Sequence, residues 1–236
     1  MLASYGSEVI PLRETRESQS APVLTYALIA LNAGVFAYQN WLTDDAARRF
    51  IEVFGWTPSH LLYPQNPVVL FKLLTSLFVH GSWFHLLSNL WCLYMFGEAV
   101  EDRLGKARFL AFYLFAALGA VGAQLVFDSS GEIPMIGASG AIAGLLAVYW
   151  KSFPRGRVLA LIPLVIVFVR EVPAVYFISI WFMLQLLAGF AGLMGPNEGA
   201  IVFFAQIGGF LTGLTLIAFF KPSRNATKGF RKPGYY

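Results

Sequence analysis

Charge is what this chain has least of. Only 13% of its 236 residues are Asp, Glu, Lys or Arg, while 57% are hydrophobic and 16% aromatic. A soluble domain of this length carries roughly 25% charge, so an ordinary soluble globule is excluded. Histidine is scarcer still: His60, His80 and His85 are the whole set, and nothing beyond residue 85 can act as an imidazole base. Cys92 stands alone in an apolar stretch, which excludes an intrachain disulfide and reads as helix filling. No Cys/His zinc spacing, phosphate loop or dinucleotide fingerprint is present, so no metal or organic cofactor is expected. The first 20 residues are polar and mix Arg13 and Arg16 with Glu8, Glu14 and Glu17. No removable signal peptide is expected there.

What remains is long apolar stretches separated by short charged runs, the pattern of a polytopic membrane protein. Six spans are predicted, at residues 22–41, 83–100, 107–127, 137–152, 173–193 and 199–220. The fourth falls slightly short of the roughly 20 residues that a crossing helix needs; it can sit with one end recessed if protein surrounds it. Lys and Arg set the orientation. The N-terminal tail carries two, the 101–108 loop three, the 151–170 segment four and the C-terminal tail five, against Arg48, Arg49 and Lys72 in the first loop. The positive-inside rule therefore puts both termini in the cytoplasm. The net charge of +4 is explained by these loops, and no nucleic-acid partner is expected. Residues 158–168 are too short for a seventh span and read as a membrane-adjacent segment. The first loop, 42–82, carries Phe54, Trp56, Leu61, Leu62 and Tyr63 broken by Pro58, Pro64 and Pro67, and is expected to lie in the interface as a partly helical arm. The expected organisation is a cytoplasmic tail at 1–21, one all-α, six-span membrane domain at 22–220, and a basic cytoplasmic tail at 221–236.

Chemistry concentrates on the even-numbered spans, which enter from the outer side in this topology. Gly137-Ala138-Ser139-Gly140 opens the fourth. A serine flanked by glycines lets a substrate backbone come close, so Gly137, Ala138 and Gly140 are candidate substrate-binding positions and Ser139 a candidate nucleophile. On the second span His85 and Asn89 lie four residues apart, on one helical face. On the sixth, Gln206 lies about 10 Å below the outer end at 1.5 Å per residue. His85, Asn89 and the Ser139 backbone N–H can donate to a developing oxyanion; equally, Asn and His side chains can simply bond neighbouring helices. Gly140 and Gly144 on the fourth span, and Gly209 and Gly213 on the sixth, share the G-x-x-x-G spacing that allows two helix backbones to approach. Such spacing is also common as packing alone, but here it would bring Ser139 towards Gln206.

Taken in order, His80-Gly81-x-x-x-His85-x-x-x-Asn89, Glu101-Asp102-Arg103-Leu104-Gly105, Gly137-Ala138-Ser139-Gly140-Ala141-Ile142-Ala143-Gly144 and Ala205-Gln206-Ile207-Gly208-Gly209 resemble the rhomboid intramembrane serine proteases of bacterial type. The resemblance runs from about Phe71 to Leu214. It implies a six-span rhomboid-like bundle with a membrane-embedded first loop, in a bacterial inner (plasma) membrane, its active site open to the outside. It further implies that Ser139 is the nucleophile, that His85 and Asn89 stabilise the oxyanion, and that His80 is structural. Single-span membrane proteins and the lipid bilayer are the implied partners. Phe71-Lys72 stands where many members carry Trp-Arg, a departure at the point where the first loop is anchored.

The larger departure is Gln206, which occupies the position of the general base, a histidine in the family. A glutamine amide has no basic nitrogen near neutral pH. It can hydrogen-bond to Ser139 but cannot take its proton, and loss of the base in soluble serine proteases removes most of the catalysis. Lys151 lies twelve residues down the same helix, about 18 Å away, and His85 as base would forfeit the oxyanion site. Three readings follow: a protease lineage whose histidine was replaced deliberately, a natural pseudoprotease that binds membrane-protein clients without cutting them, and an enzyme with an unorthodox base. Whatever enters the site must first unwind, because helical carbonyls are already hydrogen-bonded.

Overall fold

The short helix that begins at Ser139 is the hub of the molecule. The structure is a computed structural model and describes residues 10–14, 21–58, 67–127, 134–163, 167–193 and 202–220. In chain order, β1 is Ile10–Glu14, α1 Val23–Trp41, α2 Asp44–Phe54, α3 Pro67–Thr75, α4 Trp83–Cys92, α5 Glu98–Leu104 and α6 Lys106–Phe127. They are followed by α7 Ser139–Ser152, β2 Arg157–Pro163, β3 Val167–Pro173, α8 Ala174–Leu193 and α9 Val202–Ile217. A π-helical stretch, Leu93–Gly97, joins α4 to α5.

Every residue of α7 from Gly140 to Tyr149 is buried. Ala120 and Ala116 of α6 lie against Gly140 and Gly144, while Gly209 and Gly213 of α9 lie against the carbonyl oxygens of the same two residues. The glycine spacing therefore does what it predicts: α7 and α9 touch backbone to backbone, and a Cβ on Gly209 would overlap the Gly140 carbonyl. With 14 residues, α7 is about 21 Å long, shorter than the roughly 30 Å of a bilayer core. Being jacketed by protein, it does not have to match that thickness.

Six helical stretches stand where the sequence predicts spans, but the apolar length of a crossing is rarer. Among the described residues only α6 is by itself long and apolar enough; Pro67–Phe78 and Trp83–Leu104, bent by 85°, pass as a pair. In α1 the run is interrupted by Thr25, Asn32 and Gln39, all buried, so its polar residues serve the interior. The outward surfaces are apolar: Trp41, Leu70, Phe84, Phe115, Leu184 and Leu187 are exposed, more apolar surface than a soluble monomer leaves in water.

The expectation of an all-α fold needs correction. The molecule is mostly helical, but residues 157–173 form an antiparallel hairpin instead of an unstructured membrane-adjacent segment, and β1 from the N-terminal tail adds to it in the order β1-β2-β3. The cause is compositional. Val158, Ile162, Val167, Val169 and Val172 are β-branched, which suits a pleated surface, and Arg157 pairs across the strands with Glu171 at 3.3 Å. Period alone could not separate this apolar run from a helix. β1 also passes close to the π-helical stretch. The basic tail at 221–236 lies outside the described residues.

Two anchors fix the ends of the bundle. At the start of α1, where Pro22 offers no capping oxygen, the buried Glu101 carboxyl accepts from Leu24 N (3.1 Å), Thr25 N (2.8 Å) and Thr25 Oγ1 (2.8 Å). Glu101→Ala strands three donors and is expected to cost about 3 kcal/mol, read as a lowered unfolding midpoint in detergent; an unchanged midpoint would contradict this role. In the first loop Lys72 Nζ donates to Glu52 O (2.8 Å) and Thr75 Oγ1 to Phe54 O (2.8 Å). Both cap the open carbonyls at the end of α2. Phe50, Phe54 and Phe71 stack in series beside them. Lys72 thus anchors the loop without the Trp-Arg pair.

Candidate active site

The geometry starts at Gly137. Its φ of +97° lies in the region that favours glycine, and its N–H donates to Ser76 O at 2.8 Å. This turn delivers the chain into α7 with Ser139 as the first helical residue and Ala138 fully buried. The space where a Gly137 side chain would stand is taken: a Cβ there would collide with His85 Nε2 and Cε1 and meet Asn89 Nδ2 at 3.5 Å. His85 and Asn89 are therefore both brought to the Gly137–Ser139 turn.

α4 is started by Ser82, whose Oγ accepts from His85 N at 3.1 Å. Asn89 Nδ2 donates to His80 Nε2 at 3.0 Å. An amide nitrogen is only a donor, so Nε2 must carry the lone pair, and the His80 proton sits on Nδ1, 3.2 Å from the Phe78 carbonyl that accepts it. Gln39 braces this arrangement from α1: its Nε2 donates to His80 O and its Oε1 accepts from His80 N, each at 3.1 Å. Asn89 is left with a second N–H beside the Gly137 turn.

His80, just ahead of α4, is 1% exposed. Burial lowers its imidazole from 6.5 to about 4, with His85 adding to the fall and the Phe78 carbonyl opposing it. Protonation would also place a second N–H against the Asn89 donor. Because the folded pKa is the lower one, the unfolded chain binds the proton first, and stability falls as pH drops from 6.5 towards about 4. Unfolding midpoints are expected to decline across that window and to decline less in His80→Gln. An equal decline in both would refute the assignment.

Gln206 arrives on α9 through the Gly209–Gly140 contact, with Ala205 O 3.7 Å from the Gly140 Cβ position. Its Oε1 is buried without a hydrogen-bond partner among the described residues. The bond to Ser139 that the sequence allows is not formed: the two side chains share none. Lys151 is exposed in the last turn of α7 and Lys72 is spent on the first loop, so neither amine stands at this turn. Sequence reasoning missed Gln39, Ser76 and Ser82. Gln39 was detectable as a polar residue within an apolar stretch, where such residues face the interior.

Comparison with known proteins agrees with this arrangement. The Rhomboid domain model matches residues 68–223. The mitochondrial presenilin-associated rhomboid-like protein of Bos taurus is 33% identical over 127 residues, 53% of this chain and 32% of that protein. Rhomboid-like protein 11, chloroplastic, of Arabidopsis thaliana is 32% identical over 142 residues, 60% of this chain and 46% of that one. Rhomboid protein 1, mitochondrial, of Saccharomyces cerevisiae is 26% identical over 195 residues, 81% and 51% respectively. The chain thus spans between a third and a half of the length of these curated relatives. Their names place those proteins in mitochondria and chloroplasts, unlike the bacterial plasma membrane expected from the sequence.

Proposed function

The chain belongs to the rhomboid family, and from that premise we propose that it is an integral membrane protein built as a serine endopeptidase acting in or near transmembrane segments, strongly impaired as written. The observation that carries the reading is the meeting of His85 and Asn89 with the Gly137–Ser139 turn. Ser139 Oγ is the nucleophile. Gly137, Ala138 and Gly140 leave room for the extended backbone of a substrate, and the Asn89 amide, His85 and the Ser139 N–H receive the negative charge that forms on the attacked carbonyl oxygen. The proton on Ser139 has nowhere to go, since Gln206 is not a base. Attack therefore stalls before an acyl-enzyme forms.

Six crossings with both termini on one side fit the contacts. β1 pairs with the α7–α8 connection, and Glu101 at the end of the second crossing binds the start of the first. On the opposite face, Trp56 in the first loop pairs with Met135 before α7. The basic loops give that first face to the compartment of synthesis, the cytoplasm of a bacterium in our reading.

A second reading has its own observation. The unpartnered Gln206 Oε1 is suited to holding a peptide, and a pseudoprotease would bind membrane-protein clients without cutting them. Fluorophosphonate labelling of Ser139 divides the two. A probe that reacts only after Gln206→His supports the disabled protease; no labelling of either form, with client binding retained, supports the pseudoprotease. Equal labelling of both forms would contradict the view of Gln206 as the defect.

A further inference from the structure

Gln206 is more than a missing base. A carboxamide brings what an imidazole at this position could not, an acceptor and two donors that stay neutral at every physiological pH. Its oxygen is buried and bonded to nothing among the described residues, an arrangement that native interiors avoid. The residue as a whole is partly exposed, and its terminal torsion is soft and roughly two-fold. A small rotation can therefore present Oε1 to an incoming group. On the other side of the Ser139 turn the offer is opposite in kind. Asn89 spends one N–H on His80 and keeps the other beside Gly137.

We propose that Gln206 Oε1 and the free Asn89 N–H form a two-sided receptor for the backbone of an unwound client segment, the first accepting a peptide N–H and the second donating to a peptide C=O. The inference rests on the client-binding reading of the site. The ligand class follows from the polarity of the pair. A regular helix has its N–H and C=O groups satisfied internally, so it gains nothing here. A membrane segment with an extended stretch, such as one broken at glycine or proline, presents free groups of both kinds. Gly137, Gly140 and Gly209, which lack side chains around the turn, leave the backbone of Ser139 accessible to such a strand. No proton is transferred and no bond is cleaved. Gln206 thus turns a hydrolytic site into a retentive one.

The test is an ester scan. Fluorescent single-span synthetic peptides with a central Gly-Pro break are prepared in which one backbone amide at a time is replaced by an ester, which deletes the N–H. Anisotropy in detergent micelles reads their affinity for the full chain, for Gln206→Leu and for Gln206→Glu, which retains an acceptor. One ester position is expected to weaken binding about 2- to 10-fold, the worth of a single hydrogen bond, with the native chain and Gln206→Glu. The same ester should be without effect on Gln206→Leu. Binding of the parent peptide with no ester-sensitive position would overturn the receptor and leave client binding standing, as would a loss that persists in Gln206→Leu. Absence of binding by the parent peptide to any form would overturn both.

Discussion

Gln206→His is expected to raise cleavage of a model single-span substrate by about 10²–10⁴-fold, the usual contribution of a positioned general base. The expectation rests on position as much as on chemistry. Gln206 is carried by the same turn of α9 whose Gly209 touches Gly140, one residue from Ser139, so an imidazole there starts close to the hydroxyl it must deprotonate. Nothing else in the site has to change: the Gly137 turn, His85 and Asn89 are assembled already. Within the histidine background Ser139→Ala should abolish cleavage, and Asn89→Ala should cost about 10²–10³ as the loss of one oxyanion donor. Gel-based cleavage in detergent, with initial rates compared across the variants, reads all three. Equal rates from the native chain and Gln206→His would refute the account of the defect.

The second large effect is expected from Gly209→Val. Its Cβ would overlap the carbonyl of Gly140, and that obstacle is backbone, which cannot swing aside as a side chain does. The two helices must separate, at a cost of about 3 kcal/mol, the upper end of the usual overpacking range. Gly122→Ala on α6 is the control: nothing lies within 4 Å of its Cβ position, so the substitution should be neutral or stabilise by up to about 1 kcal/mol through helix propensity. Thermal unfolding followed by tryptophan fluorescence measures both. Equal midpoints would mean that the α7–α9 contact is not the tight one. Gly209→Val should also erase the gain from Gln206→His, because it moves the base away from the serine.

Those two expectations draw on the part of the molecule that local spacing reveals. His85 and Asn89 share a face because they are four residues apart, and paired G-x-x-x-G repeats announce helices that touch. Both relations are local, and both hold in the fold. What escaped was non-local. Gln39 and His80 are 41 residues apart, and Ser76 reaches Gly137 across the first loop and two helices; no periodicity reports such a pairing. The β-hairpin escaped for another reason, since a short apolar run looks alike as strand or buried helix. Lys72 was visible only as a departure from a pattern, and its substitute role depends on where the α2 carbonyls end. The Ser139–Gln206 bond was chemically allowed, yet proximity of two backbones does not fix the rotamers of two side chains.

The small sheet bears on the order of assembly. β1 leaves the ribosome almost first, but its partner β2 follows on the order of 150 residues later, after α7 has been made, and a loop of that size closes slowly. During synthesis β1 must wait unpaired while the intervening helices insert and settle. When the hairpin emerges, strand pairing succeeds only if both segments have been left on the same side of the bilayer. The sheet then acts as a late proofreading step on topology: a chain with one helix inserted the wrong way round cannot close it, and leaves the edge of β2 open to quality control.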